Sequence, residues 1–205
     1  MSNQTNTFDD NGFTVVSRRK KEFVPCEEKV DIDDITLDTP DMEAHFDGLA
    51  SIVSDITVMK SVAKGRVWTR EKLEDFFNYA VEDSQLDDED RTSYSWVITS
   101  CVDEKNPKVL GMVSIHHQWG KHIKPEEEKD FHLTVFVKRD WWGRGVGAEA
   151  VYQAIMLFSA SHPNCPIYSD AKAKNIGMAH INDKLQAELV GEVKIRKSTY
   201  IRYKH

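Results

Sequence analysis

Hydrophobic residues recur along this chain in two rhythms, and the switches between them mark its elements. From Phe131 to Val137 the spacing is two: Leu133, Val135 and Val137 alternate with Thr134 and Phe136, as a strand requires. From Ala150 to Phe158 the spacing becomes helical, with Ala150, Val151, Ala154, Ile155 and Phe158 on one face. Between them stands a turn with glycines at every second position, Gly143, Gly145 and Gly147, and Arg144 inside it. The same alternation predicts a short strand at Ile35–Leu37 and a helix from Glu43 to Ser54, opened by Thr39-Pro40-Asp41 with the proline just inside. A second helix starts at Thr69 as N-cap and lines one side with Leu73, Phe76, Phe77 and Ala80. The acidic run from Glu82 to Asp90 breaks it and reads as an exposed loop.

Two strands, Tyr94–Cys101 and Val109–His116, flank the turn Asn106-Pro107 and predict a hairpin. Residues 121–130 read as a solvated connector. After the glycine turn and its helix come a strand at Pro166–Ala171 and a helix at Asn175–Leu185, with Met178, Ile181 and Leu185 inward. Strands at Leu189–Arg196 and Thr199–Tyr203 close the chain. Helices mixed with hairpin-connected strands predict an α+β fold with a mixed, mostly antiparallel sheet.

Residues 1–34 lack these patterns and read as a disordered tail, leaving one domain over residues 35–205. The tail carries an apolar island at Phe13–Val16 and a basic cluster, Arg18-Arg19-Lys20-Lys21. The cluster reads as a solvated charge run that would also serve as a nuclear address. A formal net charge of −7 argues against a nucleic-acid binder, because phosphate backbones require clustered Lys and Arg. Three cysteines without paired spacing suit a reducing compartment, and no apolar run reaches the roughly 18 residues of a membrane span. A cytoplasmic protein is expected. His116, His117, His122 and His132 lack metal-ligand spacing, so no metal site is expected.

Strand, glycine turn, helix is a geometry that grips phosphate. Amides of a helix's first turn are unpaired, the macrodipole adds positive charge, and glycine lets an oxygen approach the backbone. A P-loop needs Lys-Ser or Lys-Thr after its last glycine, whereas Ala148-Glu149 follow Gly147. Gly143, Gly145 and Ala148 do fit a dinucleotide fingerprint, with Asp170 about 20 residues on. That motif belongs to repeated parallel βαβ units, and the chain ends instead in what reads as a hairpin.

The segment from Trp141 to Ala150 (WWGRGVGAEA) resembles the acetyl-CoA pyrophosphate loop of the GNAT superfamily of N-acetyltransferases, in the form written by its RimJ/RimL-like branch. Trp142 stands at that pattern's Gln/Arg position. Ile56–Met59 followed by Trp68–Glu71 is similar to that branch's early helices, and Asn175–Leu185 to a later segment. The resemblance covers about residues 35–205 and implies acetyl transfer to an amine, a protein N-terminus or a small molecule. It implies that backbone groups of Val135, Phe136 and Val137 bind the pantetheine arm in a gap between splayed strands. The turn from Trp142 through Gly143, Arg144, Gly145 and Val146 to Gly147 would hold the pyrophosphate. Lys138 or Arg139 would add charge, and Asn175 would touch the arm.

The amine must lose a proton. By position in the family, His132 and Asp170 are the two candidate bases, and histidine's ordinary pKa of about 6.5 suits it to the task. Met178 departs from the family, standing where the branch often has a serine as acid for the leaving thiolate. That leaves Tyr200, water or unassisted departure. Gln186-Ala187 replaces the family's Gly-Phe. Met178, and a histidine where the branch has glutamate, leave a second expectation open: a GNAT-fold module, weak or inactive in catalysis, that binds acyl-CoA or a partner. The glycines argue for binding, since each costs conformational entropy.

Overall fold

The computed structural model describes residues 31–205 apart from 61, 63–64, 89, 102–106, 118–129 and 196–197. The tail features through residue 30, the tip of the first hairpin and most of the connector lie outside the described residues. Described order reaches back into the segment read as tail, because Ile32–Asp34 form a 3-10 turn before the first strand.

The strands are β1 (Ile35–Asp38), β2 (Ser93–Ser100), β3 (Lys108–His117), β4 (Phe131–Val137), β5 (Ile167–Ala171), β6 (Glu188–Ile195) and β7 (Ser198–Lys204). They form a sheet in the order β1-β2-β3-β4-β5-β7-β6. Every neighbouring pair is antiparallel except β4 with β5. The helices are α1 (Met42–Val53), α2 (Ile56–Met59), α3 (Arg70–Ser84), α4 (Val146–Ser161) and α5 (Ile176–Lys184). This is the expected mixed, mostly antiparallel α+β fold.

Both faces of the sheet are covered. On one, Ile98, Leu110, Val113, Ile115, Leu133 and Val137 pack against Val146, Ala150, Val151, Ala154 and Phe158 of α4. On the other, Val97, Met112 and Phe136 pack against Phe46, Leu49 and Ile52 of α1 and Leu73 and Phe77 of α3. Successive side chains of a strand point to opposite faces, so β4 sends Leu133 and Val137 toward α4, and His132 and Phe136 toward α1–α3. The chain opens α3 as expected, Thr69 accepting from the Lys72 amide. It opens α1 differently from the expectation: Asp41 caps it by accepting from Ala44, and Pro40 lies outside the helix.

The acidic run is only partly a loop. Helix α3 continues to Ser84, and Asp83 is buried. Its carboxylate accepts from the amides of Thr92 and Ser93, from the Thr92 hydroxyl and from Tyr79. One carboxylate therefore ties the end of α3 to the start of β2.

Candidate active site

Strands β4 and β5 pair in parallel at only two positions, Phe131 with Ile167 and His132 with Tyr168. Beyond them β5 turns to β7, while β4 stays with β3. The gap this opens in the sheet leads from His132 to the turn after β4. Along β4 the peptide groups alternate sides. The Lys138 amide bonds Leu110 on β3, whereas the Phe131 amide bonds Pro166 on the β5 side. By that alternation the N–H and C=O of Leu133, Val135 and Val137 face the gap. Those of Phe136 face β3, where a Cβ on Gly111 would meet the Phe136 oxygen at 2.2 Å. Phe136 therefore departs from the backbone role expected for it and supplies a buried ring instead. Leu133, which the sequence reading passed over, has its peptide in the gap. The Val137 carbonyl already accepts the Trp142 indole N–H at 2.7 Å, which folds the turn back over the end of β4.

At the mouth, Gly143 and Gly145 have φ of +74° and +86°, left-handed values open to glycine at little cost. Nothing lies within 4 Å of a Cβ built on Gly143, so that side of the turn is open space. Gly145 is the N-cap of α4 and accepts the first amides, from Ala148 and Glu149. The amides of Val146 and Gly147 thus precede the helical ladder at the positive end of the macrodipole. Gly147 serves packing, because a Cβ there would meet Ile181 of α5 at 3.0 Å.

Arg144 lies over the Trp141 ring at 4.8 Å. A second cation, missed in the sequence, is Lys184, whose Nζ is 3.7 Å from the Gly145 Cβ position. Lys138 instead reaches Asp140 at 4.0 Å, and Asn175 uses its Oδ1 to cap α5 through the Met178 amide. Met178 packs against the α4-side core.

At the apex, His132 and Asp170 come together. His132 Nδ1 is 3.4 Å from Asp170 Oδ2, and both side chains are nearly buried. His132 Nε2 is buried and has no hydrogen-bond partner among the described residues. Arg202, absent from the sequence reading, grips the same carboxylate with two hydrogen bonds of 2.8 Å, from Nε to Oδ1 and from Nη2 to Oδ2. Burial opposes charge on Asp170, but hydrogen bonds from Arg202 and His132 outweigh it and hold the carboxyl down at about 2. Beside them on β3, His116 pairs with His132 across the strands and bonds Thr134 through Nε2 at 3.3 Å. Burial pushes its imidazole toward the neutral form. Tyr200 lies two positions along β7 from Arg202, on the same face. No helix among the described residues is long and apolar enough to cross a membrane.

The fold has known counterparts. The acetyltransferase (GNAT) family protein of Bacillus anthracis is 15% identical, with a TM-score of 0.60 over 86% of this chain and 94% of its own. The microcin C7 self-immunity acetyltransferase MccE, solved with acetyl-CoA and AMP, is 17% identical, with a TM-score of 0.64 over 84% of this chain and 92% of its own. An acetyltransferase from Salmonella typhimurium that modifies the N-terminal serine of ribosomal protein L7/L12 is 14% identical, with a TM-score of 0.61 over 86% and 97%. No curated protein matches the chain. At these identities the structures establish the fold alone. The sequence profile of the acetyltransferase (GNAT) domain carries the further step, matching residues 34–188 from β1 through the split in the sheet to β6, and the chain belongs to that family.

Proposed function

We propose that this protein transfers the acetyl group of acetyl-CoA to an amine, with His132 as the base that takes the amine's proton. The observation that carries the reading is the split in the sheet: left-handed glycines and a helix N-terminus stand at its mouth, and at its apex an imidazole nitrogen without a hydrogen-bond partner among the described residues. The open side of Gly143, the early amides of α4, and Arg144 and Lys184 fit a pyrophosphate. The gap-facing peptides of Leu133 and Val135 fit the amides of a pantetheine arm. Bound acetyl-CoA supplies a thioester carbonyl for the amine to attack.

Asp170 has the positioning role, not the basic one. A carboxyl held at about 2 has almost no affinity for a proton near neutrality. As an acceptor beside Nδ1, it keeps the Nδ1–H tautomer, which leaves the Nε2 lone pair to accept the proton. Such a base suits an acceptor whose own proton is not held tightly. An α-amine, with a pKa of about 8, fits better than a lysine side chain at about 10.4. We therefore read the acceptor as a free protein N-terminus or a small amine of similar basicity. That is the RimJ/RimL-like assignment, and it agrees with the serine N-terminus modified by the Salmonella relative.

The test has two stages. Acetyl-CoA at 100 times its dissociation constant should stabilise the folded chain by about 2.7 kcal/mol in a thermal shift. Release of free coenzyme A is then followed with peptides bearing free N-termini, against the same peptides acetylated at the N-terminus with lysine side chains free. Absence of any shift removes the reading. Faster reaction of the blocked, lysine-bearing peptides removes the α-amine assignment.

A further inference from the structure

We propose that Arg202 is a positioning residue of the active site, clamping Asp170 so that one carboxylate oxygen is held against Nδ1 of His132 and the Nδ1–H tautomer is kept. The inference rests on His132 as the base, and it extends the site to a strand that the glycine turn and the gap do not include.

The geometry is that of a fixed relay. Asp170 and Arg202 are direct cross-strand partners on β5 and β7, so the sheet itself sets their separation. The guanidinium meets the carboxylate with two bonds of 2.8 Å, a fork that leaves the carboxyl plane little freedom. Oδ2 is shared: it accepts from Arg202 Nη2 and lies 3.4 Å from His132 Nδ1. The Tyr168 ring closes the circuit, 5.4 Å from the guanidinium carbon of Arg202 and 6.1 Å from the His132 ring. Side-chain exposure is only 17% at Arg202 and 10% at Asp170, so water does little to screen the pair.

A lone buried carboxylate beside a histidine would be driven toward its neutral form and would be free to turn. The guanidinium answers both. It keeps Asp170 anionic, and its two bonds hold Oδ2 against Nδ1 of His132. Among the described residues, the titratable and charged groups around this point are His116 on β3, Tyr168 and Asp170 on β5 and Arg202 on β7. Asp130, just before β4, acts on Arg202. Arg202 is the cation among them whose charge does not depend on pH in the working range.

The test uses the full chain with 15N-labelled histidine and needs no acceptor. Imidazole nitrogen shifts report the tautomer of His132, with the signal assigned by its loss in His132→Ala. In Arg202→Met, which keeps much of the stem's volume, the Nδ1–H tautomer should become less populated, because Asp170 loses the fork that holds Oδ2 against Nδ1. In Arg202→Lys, which keeps the charge but not the fork, the same loss should be smaller. An unchanged tautomer population in Arg202→Met overturns the proposal. If Arg202→Met does not fold, Arg202→Lys decides alone: an unchanged tautomer population overturns it. Failure of the underlying reading looks different. His132→Ala would then release coenzyme A from acetyl-CoA and a serine-terminated peptide at the wild-type rate, whatever the Arg202 spectra show.

Discussion

His132 Nδ1 faces Asp170 Oδ2 at 3.4 Å across the point where β4 and β5 cease to pair. Neither residue could place the other alone, because their strands are separated by the whole of α4 and meet in parallel for two residues only. On the function proposed above, the roles divide: His132 moves the proton and Asp170 sets the tautomer. His132→Ala should therefore lower kcat by about 10²–10⁴-fold while leaving acetyl-CoA affinity within a factor of a few. Asp170→Asn should also lower kcat, because an amide can donate toward Nδ1 and favour the wrong tautomer. Steady-state kinetics with binding measured in parallel checks both. A kcat within threefold of wild type in His132→Ala removes the base.

The two left-handed glycines should respond differently to the same substitution. At Gly143 an added methyl meets open space, so alanine costs only the strain of φ near +74°, about 1–2 kcal/mol. At Gly145 the methyl also approaches Ile32 Cδ1 at 3.0 Å, which pushes the 3-10 turn off the helix entrance. Gly143→Ala should weaken acetyl-CoA binding roughly 5–30-fold and lower the melting temperature by a few degrees, the effect of that strain alone. Gly145→Ala should weaken binding and lower the melting temperature further. Calorimetric titration beside a thermal melt separates the two. Equal melting temperatures would show that Ile32 does not depend on that glycine.

The parts of this site that could be read in the sequence are those written locally. Leu133, Val135 and Val137 announce a strand by period, and the glycines announce a turn by their freedom, so the mouth of the gap was visible. His132 and Asp170 came from the family resemblance, not from any pattern of their own. Arg202 was invisible because its partner lies on β5, and the order β5-β7-β6 places the last strand beside it against chain order. Lys184 was hidden for a similar reason, since α5 comes back over the glycine turn only in the fold. Phe136 was misassigned for a subtler cause. Side-chain alternation can be read from letters, but which neighbour each peptide group faces depends on the strand's partners.

Asp83 makes the same point for stability. In sequence it is one of several acids in a charged run, and in the fold it is the acceptor for two amides, a hydroxyl and Tyr79. Asp83→Ala would leave the Ser93 amide, at a buried residue, without its partner and would free the end of α3 from β2. Buried groups left unsatisfied cost about 1–3 kcal/mol each, so a loss of about 2–4 kcal/mol is expected. Asp87→Ala, in the exposed part of the same run, should change stability by less than about 0.5 kcal/mol. Urea denaturation of both variants checks the contrast, and similar midpoints would return Asp83 to the exposed loop.

Acid should unfold the protein through two separable windows. The Asp170 carboxyl titrates at about 2 in the fold and near 3.9 in an unfolded chain. Above about pH 5 it is ionised in both states, and its full stabilisation is present. As pH falls from about 5 through 2, the unfolded state takes up the proton first, and a contribution on the order of 2 kcal/mol is lost. His205 acts at higher pH. Burial lowers its imidazole to about 4, where its Nε2 lies 3.0 Å from the Ser169 hydroxyl. Between about pH 6.5 and 4 the unfolded chain binds that proton and the fold resists it, so stability declines across this range as pH falls. Wild type should thus lose stability in two successive stretches. His205→Ala should flatten the upper one and leave the lower, while Asp170→Asn should flatten the lower one and leave the upper. Denaturant midpoints measured from pH 7 to 2 on the three proteins distinguish them, and a wild-type slope below pH 4 that survives in Asp170→Asn would assign the acid sensitivity to other carboxylates.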